Sequence, residues 1–136
     1  MSAKMVELNM NIITIPQGWY TVCAASKDKD FTVGLPKLFN DTYNIAERLE
    51  DVELGKAYQV ANSYTLIVKE HAYDKANPAA LKKAIEDLSL QCALEGVTKL
   101  AMPKICCGHN GLFWKDVKKM IVEAFEHMNI QILICA

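Results

Sequence analysis

Apolar runs and helical periodicity alternate along the second half of the chain. Three short apolar runs, at 64–69, 99–105 and 130–136, are typical of buried strands. Between them, apolar residues recur at the spacing of one helix face. These are Leu81, Ala84, Ile85, Leu88 and Cys92 in the first stretch, and Val117, Met120, Ile121, Ala124, Phe125 and Met128 in the second. The order strand, helix, strand, helix, strand predicts parallel crossover units and a central sheet covered by helices.

Capping residues strengthen the first of these helices. Asn77 suits the N-cap, Pro78 fits the first turn and Gly96 suits the C-terminal stop. The pattern therefore predicts a helix that begins at Pro78 and ends just before Gly96.

The first half of the chain has weaker patterns. Alternation of Val6, Leu8 and Met10 with polar neighbours predicts a half-buried strand, and the β-rich run at 18–26 follows turn residues Pro16 and Gly18. Two more strands, at 56–60 and 64–69, are expected to pair through the turn 61–63. Helical spacing after Gly34 involves Leu35, Leu38, Phe39, Tyr43 and Ala46. All 136 residues fit one domain of ordinary size.

Composition excludes several classes of function. Fifteen Lys and Arg against sixteen Asp and Glu give a formal net charge of −1, which argues against a general nucleic-acid binder. The cluster Lys115, Lys118 and Lys119 is typical of the wet face of a helix. No apolar run approaches the ~20 residues of a membrane span, and residues 1–10 lack a signal-peptide pattern. Five cysteines without a secretion signal favour reduced thiols and a cytoplasmic protein.

The segment MPKICCGHNGLFW, at 102–114, concentrates residues that carry chemistry. A zinc site would use Cys106, Cys107 and His109, but adjacent strand residues point to opposite faces and no second ligand pair has zinc spacing. The sequence therefore predicts no metal site. A thiol nucleophile with His109 as its base remains an alternative. The other alternative is a phosphate-holding loop, in which Gly108 and Gly111 let the backbone approach a ligand.

Residues 96–125, which contain this segment, resemble the C-terminal signature of macro domains. The pattern there is roughly hxxPxIGCGLxxLxW, and the matching residues are Pro103, Ile105, Cys107, Gly108, Leu112 and Trp114. The stretch CAASKDKDFTVGLPKLF, at 23–39, is similar to the first substrate loop, CISxDxxMGAGIAxxF, of the branch with terminal ADP-ribose protein glycohydrolase and ADP-ribose 1″-phosphate phosphatases. The resemblance implies a three-layer α/β/α fold with a mixed sheet that binds ADP-ribose or a related adenine nucleotide.

The resemblance also implies roles for individual residues. Loops at 32–35 and 106–112 would clasp the diphosphate and distal ribose, with backbone donors from 105–108. Asn11, after the first strand, would meet the adenine amino group, and Lys69 matches the lysine that attacks the anomeric carbon. The full set of implied ligand-binding residues is Asn11, Ser26, Thr32, Val33, Gly34, Leu35, Ile105, Cys106, Cys107, Gly108, His109, Asn110, Gly111 and Leu112. No cofactor is implied.

Departures from the family pattern bear on catalysis. Thr32 replaces a glycine of the first loop, and Asn11 replaces the adenine-reading aspartate. Asn110 stands at the catalytic aspartate, and an amide cannot act as a general base. His109, where leucine is usual, is an alternative acid–base group.

Three functions therefore remain open. The first is an ADP-ribose-binding domain that hydrolyses an ADP-ribosyl-protein ester or ADP-ribose 1″-phosphate, with ADP-ribosylated protein as a partner. The second is a non-catalytic module that sequesters an NAD-derived nucleotide. The third is a ligand-free interaction domain. The sequence gives no oligomeric state.

Overall fold

The computed structural model describes residues 3–12, 15, 17–31, 34–108 and 110–135. The strands are β1 Lys4–Leu8, β2 Tyr20–Ser26, β3 Ala57–Val60, β4 Ser63–Lys69, β5 Lys99–Pro103 and β6 Gln131–Cys135. The helices are α1 Gly34–Tyr43, α2 Ile45–Arg48, α3 Pro78–Glu95 and α4 Trp114–Ala124. Pro16, predicted in a turn, lies outside the described residues.

One six-stranded sheet organises the chain, in the order β1-β6-β5-β2-β4-β3. Strand β3 is antiparallel to β4, and all the other pairings are parallel. The mixed sheet and the β4-α3-β5-α4-β6 crossovers confirm the prediction from the alternating pattern. Parallel pairing also brings the carboxyl ends of five strands to one edge, where loops of such sheets bind ligands.

Two hydrophobic cores lie on opposite faces of this sheet. One is formed with α3 and α4, and includes Leu88, Ile121 and the strand residue Leu66. The other is formed with α1 and α2, and includes Phe39 and Ile45. This arrangement is a three-layer α/β/α fold, as predicted. Among the described residues, no helix is both long and apolar enough to cross a membrane.

The capping residues of α3 act as the sequence predicts. The side chain of Asn77 accepts hydrogen bonds from the backbone N–H groups of Ala79 and Ala80, and Pro78 begins the helix. Gly96 ends it with φ of 69°, a conformation that glycine adopts without a Cβ clash. The five predicted core residues of this helix are all buried: Leu81, Ala84, Ile85, Leu88 and Cys92.

The predicted hairpin between β3 and β4 is also present. Val60 pairs with Ser63, so Ala61 and Asn62 form the turn. The tight connection requires a positive φ at Ala61, and its φ is 53°. An L-residue is strained in this conformation.

The prediction for the buried face of β1 was wrong. Val6 and Leu8 are 53% and 47% exposed, whereas Met5 packs against the core of α3 and α4. Val6 pairs with Leu133 at the edge of the sheet, and α1 and α2 pack over β2 and β4 instead of over this edge. The alternating pattern correctly indicated a strand, but it could not tell which face a helix would cover.

The helical stretch after Gly34 is divided into two helices. Asn44, with φ of 55°, separates α1 from α2. At the start of α2, the N–H group of Ala46 donates a hydrogen bond to Oδ1 of Asn40. Phe39 is buried, but Leu35 is 42% exposed. Leu35 belongs to the ligand cleft described below, so its apolar character does not contribute to the core.

Replacement of Thr65 by valine is expected to stabilise the protein. The Thr65 hydroxyl is buried in β4 and has no hydrogen-bond partner among the described residues. Valine has nearly the same shape and removes an uncompensated polar group, so we expect the free energy of unfolding to rise by about 1 kcal/mol. Urea unfolding checks this. Thr98→Val, at an exposed position, is the control, and an equal gain there would contradict the assignment.

Candidate functional site

A cleft of about 450 Å³ opens at the edge where the parallel strands end. Its walls are the end of β2, the first turn of α1, the end of β4 and the loop between β5 and α4. The lining residues include Ser26, Gly34, Leu35, Lys69, Ile105, Cys106, Gly108 and Asn110. A cleft of this volume is in the usual range for small-molecule and cofactor sites.

The loop between β5 and α4 forms one wall of the cleft, and backbone hydrogen bonds within the loop hold its shape. Leu112 N–H donates to the carbonyl oxygen of Cys106 at 3.0 Å, and Gly111 N–H donates to that of Gly108 at 3.0 Å. Cys106 has a φ of 62° and Gly111 one of 79°. A left-handed residue with a Cβ is costly, so the loop stores backbone strain at the cleft.

Two of the four backbone N–H groups at 105–108, which the sequence predicts as ligand donors, are hydrogen-bonded within the loop. Ile105 N–H donates to Pro103 O at 2.8 Å and Cys107 N–H to Lys104 O at 3.2 Å. The N–H groups of Cys106 and Gly108 have no acceptor among the described residues. Cys106 and Gly108 both line the cleft, so we expect their N–H groups to be the two of the four predicted donors that meet a ligand.

The N-terminus of α1 faces the cleft, whereas that of α4 does not. Gly34, Leu35 and Pro36 line the cleft, and the first turn of α1 contains no acidic residue. Helix α4 begins at Trp114 outside the lining, and Asp116 lies in its first turn. The positive end of a helix dipole favours an anion, so α1, and not α4, supplies such a contribution to the cleft.

Lys69 is the buried cation of the site, with 8% of its surface exposed. Its Nζ donates to three oxygens: Asn110 Oδ1 at 2.7 Å, Ala72 O at 3.0 Å and Asp74 O at 3.1 Å. All three acceptors are neutral. The ammonium is therefore fully hydrogen-bonded without a carboxylate partner, and it joins the two predicted catalytic positions, 69 and 110.

A second network ties the first loop to the segment after β4. Asp28 accepts hydrogen bonds from Ser26 Oγ and from the N–H groups of Asp30 and Ala72. His71 Nδ1 lies 3.7 Å from the same carboxylate. Burial raises the pKa of Asp28, but these hydrogen bonds and the imidazole outweigh it, so the pKa lies below its ordinary value.

Removal of the Asp28 carboxylate is expected to cost stability in a pH-dependent way. The folded state holds the pKa of Asp28 below its unfolded value, so the stabilisation is present above the unfolded pKa of about 4. It is lost as the pH falls through the lower, folded value. We expect Asp28→Asn to lower the free energy of unfolding by about 1 kcal/mol at pH 7.

Urea unfolding of both proteins from pH 7 to pH 3 checks this expectation. The difference between them is expected to shrink below about pH 4. Asp51→Asn, at an exposed position in a bend, is the control. A difference between parent and Asp28→Asn that grows on acidification would contradict the proposed role of the charge.

The cysteines have the properties of unreactive thiols, four of them buried and Cys107 half-buried. Burial raises the pKa of Cys106 to about 12, with a further rise from Cys107 and a smaller opposing effect of Lys69. Burial also raises the pKa of Cys107, and it raises that of Cys23 well above the usual range. A thiol nucleophile needs a lowered pKa, so the structure disfavours that alternative. In the described part of the chain, no three His, Cys, Asp or Glu side chains are placed to hold a metal ion.

The structure brings most of the predicted site residues together. Asn11, Cys107, Gly111 and Leu112 lie outside the cleft lining, and the predictions for Thr32, Val33 and His109 fall outside the described residues. Asn11 follows β1 at the same edge of the sheet. The cleft also contains residues that the sequence reading missed: Asp30, Pro36, Ala72 and Lys104. Ala72 had no signal in the sequence, because it contributes through its backbone.

The fold and the cleft define a single-sheet α/β/α domain with a ligand site at the carboxyl edge of its strands. A Bos taurus protein named ADP-ribose glycohydrolase OARD1 is 30% identical over an alignment of 139 positions. The alignment covers 97% of this chain and 91% of that protein. The Homo sapiens protein of the same name is 41% identical over 71 residues, 52% of this chain and 47% of that protein. The chain belongs to the macro domain family, as the sequence signature predicted. No family model matches it.

Solved structures agree with this assignment at the level of the fold. The macrodomain of Thermus aquaticus DarG has a TM-score of 0.83 at 18% identity, and that of Mycobacterium tuberculosis DarG has 0.85 at 16%. Both comparisons cover 99% of each chain. Thermosipho africanus DarTG in complex with ADP-ribose has a TM-score of 0.74 at 16% identity, over 96% of this chain and 41% of that one.

Proposed function

We propose that the chain binds ADP-ribose in the cleft. The observation that carries the proposal is the convergence of two sets of anion-binding groups on one volume of about 450 Å³. One set is the first turn of α1, at Gly34 and Leu35, and the other is the N–H groups of Cys106 and Gly108. A diphosphate is the part of ADP-ribose that such groups recognise. The names of its relatives, ADP-ribose glycohydrolase and a complex with ADP-ribose, support the same ligand.

The position of Lys69 supports a role at the distal ribose. Its Nζ donates to Asn110 Oδ1 at 2.7 Å, and both residues line the cleft together with the start of α1. As a nucleophile towards the anomeric carbon, the amine would first lose a proton. None of its three hydrogen-bond acceptors is a group that takes up protons at neutral pH.

This chemistry favours recognition of ADP-ribose with slow turnover. Hydrolysis of an ADP-ribosyl-protein ester would use Lys69, while Asn110 limits the rate because it cannot act as a base. The non-catalytic binding module is the second candidate, and the neutral surroundings of Lys69 are the specific observation that favours it. An ADP-ribose 1″-phosphate substrate and an acid–base role for His109 also remain proposals.

Release of ADP-ribose from a glutamate-modified protein distinguishes the two candidates. We expect the parent protein to release ADP-ribose slowly, in an amount that Lys69→Ala eliminates. Binding of free ADP-ribose without any release would favour the binding module. Rapid release by the parent that is unchanged in Lys69→Ala would contradict the role given to Lys69 and would leave a water-based mechanism organised by the two loops.

A further inference from the structure

Asn110 differs from the other asparagines in the residue that follows it. Of eight asparagines in the chain, only Asn110 precedes a glycine. The backbone nitrogen after an asparagine can attack the side-chain amide carbon to form a five-membered imide. Glycine hinders this attack least, because it has no Cβ.

The surroundings of Asn110 favour the same reaction. Lys69 Nζ donates to Asn110 Oδ1 at 2.7 Å, and two backbone carbonyls, of Ala72 and Asp74, hold the ammonium in place. Attack on the amide carbon would place negative charge on this oxygen. A fixed cation aimed at an oxygen where charge develops lowers the barrier. The carboxylate product would also gain a charge-assisted hydrogen bond to Lys69.

We propose that Asn110 is a site of spontaneous deamidation that converts the chain into its aspartate form. The hydrogen bond from Gly111 N–H to Gly108 O breaks, hydroxide from water takes the amide proton, and the nitrogen forms a bond to Cγ of Asn110. The bond from Cγ to Nδ2 breaks, and ammonia leaves with a proton from water, which regenerates the hydroxide. Lys69 polarises the Cγ carbonyl, so water adds there, the bond from Cγ to the nitrogen of Gly111 breaks, and that nitrogen regains a proton. A carboxylate now stands where the amide was, and its proton passes to solvent.

The functional consequence rests on the proposed function. An aspartate at position 110 accepts a hydrogen bond from Lys69 as the amide does, but it can also take the proton that the amine must lose before it attacks. Deamidation would therefore change a chain that holds ADP-ribose into one that releases it from modified protein. The reaction needs no partner other than water.

The experiment follows the mass of one peptide over time in the purified, folded protein at pH 8. Cleavage after lysine releases residues 105–115, with Asn110 as their sole asparagine, and residues 57–69, with Asn62. Asn62 lies exposed in the hairpin turn and precedes serine, so it is the internal standard. The aspartate and isoaspartate peptides have the same mass but elute separately in chromatography. Purified Asn110→Asp supplies the reference peptide that identifies the aspartate form. We expect aspartate at 110 to form roughly tenfold faster than deamidation at 62.

Two further measurements complete the test. Lys69→Met is expected to slow the conversion of Asn110 roughly tenfold while the rate at Asn62 stays unchanged. Binding of free ADP-ribose to freshly purified protein tests the proposed function separately, since it needs no conversion. An intact Asn110 after the unfolded chain has deamidated fully would overturn the proposal. So would isoaspartate as the main product, or a Lys69→Met protein that converts as fast as the parent in the same folded state.

Discussion

Asn110→Asp is expected to release ADP-ribose from a glutamate-modified protein about a hundredfold faster than freshly purified parent protein. The hydrogen bond of 2.7 Å from Lys69 Nζ to position 110 places a carboxylate within reach of the proton on the amine. An amide oxygen accepts the hydrogen bond but does not take the proton. The substitution adds a base to a lysine that is already buried and oriented, so it changes the chemistry without moving the side chains.

Two variants make this comparison specific to the pair. Lys69→Ala and the double variant Lys69→Ala with Asn110→Asp are both expected to release no ADP-ribose, because the proposed nucleophile is absent. Initial rates of release, measured with saturating substrate, separate chemistry from binding. Equal rates for the parent and Asn110→Asp would show that position 110 does not limit turnover, and activity in the double variant would exclude Lys69 as the nucleophile.

Gly108→Val is expected to weaken ADP-ribose binding about a hundredfold, which corresponds to a loss of about 3 kcal/mol. A Cβ at Gly108 would meet no atom within 4 Å, and φ there is not in the left-handed region. The chain should therefore still fold. The added side chain would stand in the cleft beside the N–H groups that are expected to bind the diphosphate. The structure thus predicts a loss of binding with little change in stability.

The matched control for this variant is Cys107→Val. Cys107 is the adjacent residue, but it lies outside the cleft lining and packs against the core of α3 and α4. We expect Cys107→Val to bind ADP-ribose like the parent. Thermal unfolding of both variants verifies that they are folded. Normal binding by folded Gly108→Val would mean that this loop does not hold the diphosphate.

The sequence predicted those elements of the fold that local signals define. Asn77, Pro78 and Gly96 mark the ends of α3, and the alternation of β4, α3, β5, α4 and β6 implied a parallel sheet. The buried face of β1 was mispredicted because Met5, on the other side of the strand, is also apolar and packs against the core of α3 and α4, and alternation alone does not reveal which side a helix covers. The break at Asn44 was missed for a similar reason, since apolar spacing continues across it.

The site was predictable where it follows a motif and hidden where it depends on long-range contacts. The resemblance indicated Lys69 and Asn110 as candidate site residues. The structure places Lys69 Nζ 2.7 Å from Asn110 Oδ1, although 41 positions separate the two residues. The bond from Ala72 N–H to Asp28 had no sequence signal, because it joins a side chain to a backbone group 44 positions away.

A calorimetric titration of the parent protein with ADP-ribose tests the central claim most directly. We expect binding of one ADP-ribose per chain with a micromolar dissociation constant, about −8 kcal/mol, because Thr32 replaces a loop glycine of the family. Gly108→Val, titrated under the same conditions, is expected to bind about a hundredfold more weakly. Absence of binding to the folded parent at millimolar ADP-ribose would contradict the account.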